Sequence, residues 1–187
     1  SVTMTGGEPL LDHRFSDMIQ KFKNTKSVVV HSGLGVSETV LRRGLDAMSD
    51  TQHKTTLCIS AESIGKNFEF NRQGSNWETF LRYIDIIKEY DVAIQFTSTY
   101  SNLNITDYVK FNTMFHEYPI SMNMVYDPAF MSVYNLDDET KKQVINDIKQ
   151  SRLSNSKNAN EIINTINQPT NEKLRQELRY FIQEFTR

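Results

Sequence analysis

Only one cysteine, Cys58, occurs in this chain of 187 residues. A single thiol excludes an internal disulfide, and it excludes any multi-cysteine zinc or iron–sulfur site built from these residues alone. His13, His31, His53 and His116 are scattered, and none makes the short-spaced pair that suits a metal. An excess of one charge is lacking too: 21 basic residues stand against 23 acidic ones. With no basic stripe, nothing points to nucleic acid. Long apolar runs are absent, so no membrane span is expected. Ser1-Val2-Thr3-Met4-Thr5 reads as a strand rather than as the charged start of a signal peptide, and a cytoplasmic protein is expected.

What is present is an alternation. Short β-rich apolar runs at 2–5, 27–31, 56–60, 92–97 and 120–126 are separated by helical patterns near 11–24, 37–49, 77–89, 105–116 and 138–151. The clearest helix carries Trp77, Phe80, Leu81, Ile84 and Ile87 at i, i+3, i+4, i+7 spacing. Strands alternating with helices of this length predict βαβ units and a parallel sheet. Val28-Val29-Val30 and Leu57-Cys58-Ile59 are continuously apolar, as strands buried on both faces are. Five units are too few to close an eight-stranded barrel, leaving an open partial barrel or a doubly wound sheet. Residues 151–168 are rich in Ser, Asn and Lys, Pro169 interrupts them, and a last helix follows. Division into a 1–150 core and a 151–187 helical appendage on a mobile connection is expected. In that last helix Leu174, Leu178, Phe181, Ile182 and Phe185 form one stripe without a stop signal, so the chain reads as a piece of a longer protein.

In both candidate folds, function collects where the strands end. The first strand runs into Thr5-Gly6-Gly7-Glu8-Pro9-Leu10-Leu11. This is either a tight turn into a helix or a place where bare backbone and Glu8 accept hydrogen bonds from an ammonium group. The second strand ends in His31-Ser32-Gly33-Leu34-Gly35. Glu38 stands where a dinucleotide fingerprint needs its third glycine, and no phosphate-binding lysine follows. The third ends in Ser60-Ala61-Glu62-Ser63, followed by Phe70-Asn71-Arg72-Gln73-Gly74, read as loop. An acidic group there is costly if buried alone. One reading of this pattern is structural: a Glu62–Arg72 ion pair across the loop, or a cap from Ser75 and Asn76. Cys58 reads as a small buried hydrophobe.

Taken in order, these strand ends resemble those of the radical SAM superfamily. Met4-Thr5-Gly6-Gly7-Glu8-Pro9-Leu10-Leu11 is similar to the motif that holds the amino group of S-adenosylmethionine in that family. His31-Ser32-Gly33 is a loose version of its Thr-Asn-Gly turn, which adds Ser32. Ser60-x-Glu62 followed by Arg72-x-Gly74 is similar to the fourth strand of these enzymes. The resemblance implies that Ser60 and Glu62 hold ribose hydroxyls and that Arg72 approaches the methionyl carboxylate, chemistry a guanidinium fork suits. Gln95 and Thr97 are the inward candidates on the next strand. Tyr126, in Tyr126-Asp127-Pro128, is either a core aromatic or, by likeness to SPASM- or twitch-type members, including phage and marine-bacterial ones, a residue packed near adenine.

The resemblance implies a partial parallel (β/α) barrel of about five units and, for the parent protein, a four-iron cluster. That parent is expected to cleave S-adenosylmethionine reductively to a 5′-deoxyadenosyl radical, with a peptide as the first substrate to consider. The family's three-cysteine loop is absent from these residues, so the chain alone is expected to be inactive. Two other readings stand beside this one: a barrel enzyme using Glu8 and Glu62 as an acid–base pair, and a non-catalytic α/β interaction module.

Overall fold

The computed structural model describes residues 1–22 and 24–185. Five strands, β1 (Val2–Met4), β2 (Ser27–Ser32), β3 (Lys54–Ser60), β4 (Ala93–Tyr100) and β5 (Ile120–Met124), form one sheet in sequence order. Pairing is parallel from β1 to β4, with Met4 opposite Val30, Val30 opposite Leu57, and Leu57 opposite Ile94. Helices alternate with these strands: α1 (Phe15–Gln20), α2 (Glu38–Ser49), α3 (Gly65–Asn71), α4 (Trp77–Ile87) and α5 (Tyr108–Met114), then α6 (Asp138–Gln150), α7 (Lys157–Ile166) and α8 (Glu172–Phe185). This is the expected α/β partial barrel with helices at the C-terminal end.

Several boundaries differ from expectation for identifiable reasons. The pattern near 11–24 is broken into a 3₁₀ turn over Pro9–Leu11 and a six-residue α1. Between them Asp12 accepts from the Arg14 backbone and side chain, a local alternative to helix. The segment read as loop before Trp77 holds α3, which opens at Gly65 with φ +55° and ends with Arg72 as its C-cap. Phe68 anchors it against Trp77 and Phe80, with ring centroids 5.2 and 4.6 Å away. β2 alternates buried with half-buried residues instead of being buried on both faces. Val28 and Val30 are inaccessible, whereas Val29 and His31 lie on a face that the described residues leave partly open.

By contacts the chain forms two units. The first comprises Ser1–Ser98 with His116–Ser121. On its sheet face Val28, Val30, Leu57, Ile59, Ile94 and Phe96 are buried, as are Phe15, Ile19, Leu41, Leu45, Ile84 and Ile87 of the helices. The second begins with Thr99–Phe115 and resumes at Met122. Tyr100, Tyr108, Val133, Val144, Ile148, Ile162 and Ile166 form its core. Here Arg175 of α8 donates from Nε to the Asn135 carbonyl at 3.2 Å and from Nη2 to the Leu136 carbonyl, tying α8 to the turn before α6.

One helix packs closely on the turn that follows the first strand. Gly44 of α2 is buried, and a Cβ built on it would lie 2.7 Å from Leu10 Cδ2. The absent side chain lets α2 close on the Pro9–Leu11 turn, where Leu10 is 1% exposed. Gly44→Val is expected to destabilise the protein by about 1–3 kcal/mol through overpacking, read as a lower urea midpoint.

Candidate functional site

β1 leaves the sheet through Gly6 and Gly7, whose φ values of +94° and +57° favour glycine. Neither has an atom within 4 Å of where a Cβ would lie, so the backbone conformation, not crowding, selects glycine there. The turn delivers Glu8 to the end of β2. Glu8 Oε1 accepts from the Leu10 N–H at 3.3 Å and caps the 3₁₀ turn. Its Oε2 accepts from Ser32 Oγ at 2.8 Å and from the Gly33 N–H at 3.1 Å. Ser32 Oγ in turn accepts from the Leu34 N–H at 2.9 Å, holding Leu34 at φ +57°. Glu8 is thus a strut between the first two strand ends.

β3 supplies the opposite charge arrangement. After half-buried Ser60, the Ala61 N–H donates to the Thr97 carbonyl at 3.3 Å and the Ala61 carbonyl accepts from Ser98 Oγ. Glu62 follows, 5% exposed, and then Ser63, fully buried. Arg72, the C-cap of α3, reaches back so that Nη2 donates to Glu62 Oε2 at 2.7 Å. A Cβ on Gly33 would lie 3.7 Å from Arg72 Nη1, so the guanidinium also borders the second strand end. Arg72 Nε and Ser63 Oγ are buried and without a hydrogen-bond partner among the described residues. Such groups carry a desolvation penalty of about 1–3 kcal/mol each until something bonds them.

Glu8, Ser32, Glu62 and Arg72 are therefore brought together across three adjacent strand ends, with Gly33 as the shared neighbour. Sequence reasoning placed Gly33 only in a turn; its N–H donates to Glu8, and it borders Arg72. The Glu62–Arg72 alternative for the third strand end is also present, and of the two capping candidates Asn76 serves. The ion pair forms, and Asn76 caps α4 by accepting from the Thr79 N–H at 2.9 Å. Glu69 completes that corner, accepting from the Trp77 N–H and Asn76 Nδ2.

Gln95 and Thr97 form hydrogen bonds outside this cluster. Gln95 is in register with Cys58, itself opposite His31, and donates to Ser121 Oγ at 3.0 Å. Thr97 is opposite Ser60, and its Oγ1 is 2.9 Å from Cys58 Sγ. Cys58 is a buried free thiol, as its apolar neighbours imply. Tyr126 belongs to the second unit and is 54% exposed. Among the described residues no group of three or more His, Cys, Asp or Glu side chains is placed to hold a metal.

The site is thus a polar cluster at the carboxyl ends of a parallel α/β sheet, built around one guanidinium. No family model matches the chain, and no curated protein matches it in sequence. Among solved structures it is similar to a domain of pyruvate-formate lyase-activating enzyme from Bacteroides vulgatus ATCC 8482, with a TM-score of 0.52. Identity is 18%, and the likeness covers 79% of this chain and 91% of that one. At that identity the likeness is one of fold.

Glu8→Ala removes the acceptor for three donors at once, two of them from the next strand end. It should lower stability by about 1.5–3 kcal/mol, the range for hydrogen bonds to a charged group. Glu8→Gln, which keeps one acceptor oxygen, should cost less. Urea denaturation of the two variants checks the order.

Proposed function

We propose that this chain supplies the strand-end part of an S-adenosylmethionine site in a radical SAM enzyme. The observation that carries the reading is the meeting of Glu8, Ser32, Glu62 and Arg72 at three adjacent strand ends, since these residues carry the motifs. The fold likeness to a domain of a pyruvate-formate lyase-activating enzyme supports it. The residues present fit the methionyl end of the ligand. Arg72 keeps a buried, unpartnered Nε–H for an incoming carboxylate, and the exposed Gly6-Gly7 backbone is open to an ammonium group. The family resemblance assigns Ser60 and Glu62 to the ribose hydroxyls and Gln95 to the adenosyl part; Tyr126, in the second unit, is left out of this site.

The residues do not fit a four-iron cluster. Such a cluster needs three thiolates, and Cys58 is one buried thiol inside β3. No step through a cluster is assigned to this chain, which by itself is inert in this reading. The cluster, the 5′-deoxyadenosyl radical made with it and hydrogen abstraction from a peptide belong to the parent enzyme, placed in the cytoplasm. No helix among the described residues is long and apolar enough to cross a membrane.

The Glu62–Arg72 pair also favours a second reading, in which the cluster only holds strand ends together in an interaction module. Acid–base catalysis by Glu8 and Glu62 is disfavoured, because three donors bind one carboxylate and a guanidinium binds the other. Calorimetric titration with S-adenosylhomocysteine separates the ligand and module readings. The chain should bind weakly, with Kd on the order of 0.1–1 mM, and Arg72→Gln should weaken this roughly ten- to a hundredfold. No heat of binding at about ten times that concentration would support the module instead.

A further inference from the structure

Glu62 is nearly inaccessible, and the contact it makes here is with Arg72, not with solvent. Buried carboxylates need a cation, because an uncompensated charge at low dielectric is strongly destabilising. Arg72 holds Oε2 of Glu62, and with the side chain only 7% accessible the carboxylate offers a ribose little surface. Arg72, for its part, is a long side chain that must cross from the end of α3 to the ends of β2 and β3. One point of its guanidinium is held by Glu62 at 2.7 Å, while Nε–H has no partner and Nη1 lies beside Gly33, where no side chain blocks it.

We propose that Glu62 is a positioning residue for Arg72: it orients the guanidinium so that the remaining N–H donors meet a ligand carboxylate, and it does not itself contact the ribose. This rests on the S-adenosylmethionine reading and changes the role that the family resemblance gives Glu62. The ion pair is then a preformed part of the site. It limits the conformations of Arg72 before binding, which is how preorganisation raises affinity. It also makes Glu62 specific for one portion of the ligand. A nucleoside lacking the methionyl carboxylate should be indifferent to it.

The test compares two probes by calorimetry on the whole chain. S-adenosylhomocysteine carries ribose and carboxylate; 5′-methylthioadenosine carries the ribose alone. Glu62→Gln and Arg72→Gln should each weaken S-adenosylhomocysteine at least about tenfold and leave 5′-methylthioadenosine within about threefold of wild type. The double variant should be no weaker than either single one by more than that margin, since the two residues act as one unit. Should Glu62→Gln fail to fold, Glu62→Asp keeps the buried charge, shortens its reach by one methylene and should show the same selectivity. Equal loss of both probes in the Glu62 variant would overturn the proposal, because Glu62 would then touch the ribose. Unchanged binding of S-adenosylhomocysteine in that variant would overturn it as well. Failure of wild type to bind either probe would instead remove the S-adenosylmethionine reading, and the proposal with it.

Discussion

A carboxylate buried at the end of a central strand constrains everything around it. Glu62 follows β3 closely; just before it the Ala61 N–H donates to the Thr97 carbonyl and the Ala61 carbonyl accepts from the Ser98 hydroxyl, and the Glu62 side chain is almost shut off from water. Its charge has to be met from within the protein. That requirement gives α3 its importance. The helix is only seven residues long, yet its Phe68 is locked among Trp77 and Phe80, and its C-cap is the arginine that answers Glu62. The same arginine lies beside Gly33, whose N–H is held by Glu8. Two carboxylates and one guanidinium thereby connect β1, β2 and β3.

The site's chemistry follows from an imbalance in hydrogen bonding. Glu8 binds three donors and has the character of a strut. Arg72 has five N–H donors and gives one to Glu62, and its Nε–H is buried without an acceptor among the described residues. An acceptor bearing negative charge is the natural complement, because charge-assisted bonds to a guanidinium are strong and directional. The backbone of Gly6 and Gly7, open and in the left-handed region, sits at the same strand-end level through Glu8.

Much of the fold was legible because hydrophobic period and strand composition agreed. The Trp77–Ile87 stripe appears as α4 with its expected buried face, and the five strands lie within a few residues of their expected places. What escaped were features decided at short range or by tertiary contact. Asp12 diverts the first helix by bonding the Arg14 backbone. The short α3 depends on Phe68 finding two aromatic partners, which no local pattern discloses. β2 looked buried on both faces because Val28, Val29 and Val30 are alike in sequence, whereas the fold covers only one side fully. At the site, charged residues at strand ends were visible as types, and the Glu62–Arg72 pair was one of the stated possibilities. The bonding of Glu8 to Ser32 and Gly33 was not, since it joins residues 24 and 25 positions apart.

The most direct measurement follows the Arg72 side chain itself. In ¹H–¹⁵N spectra of the labelled chain, the Nε–H resonance of Arg72 can be assigned by its loss in Arg72→Lys. On titration with S-adenosylhomocysteine the account predicts that this resonance shifts as the buried Nε–H gains an acceptor, while 5′-methylthioadenosine leaves it in place. Binding of S-adenosylhomocysteine with the Arg72 resonance unmoved would contradict a site organised around that guanidinium.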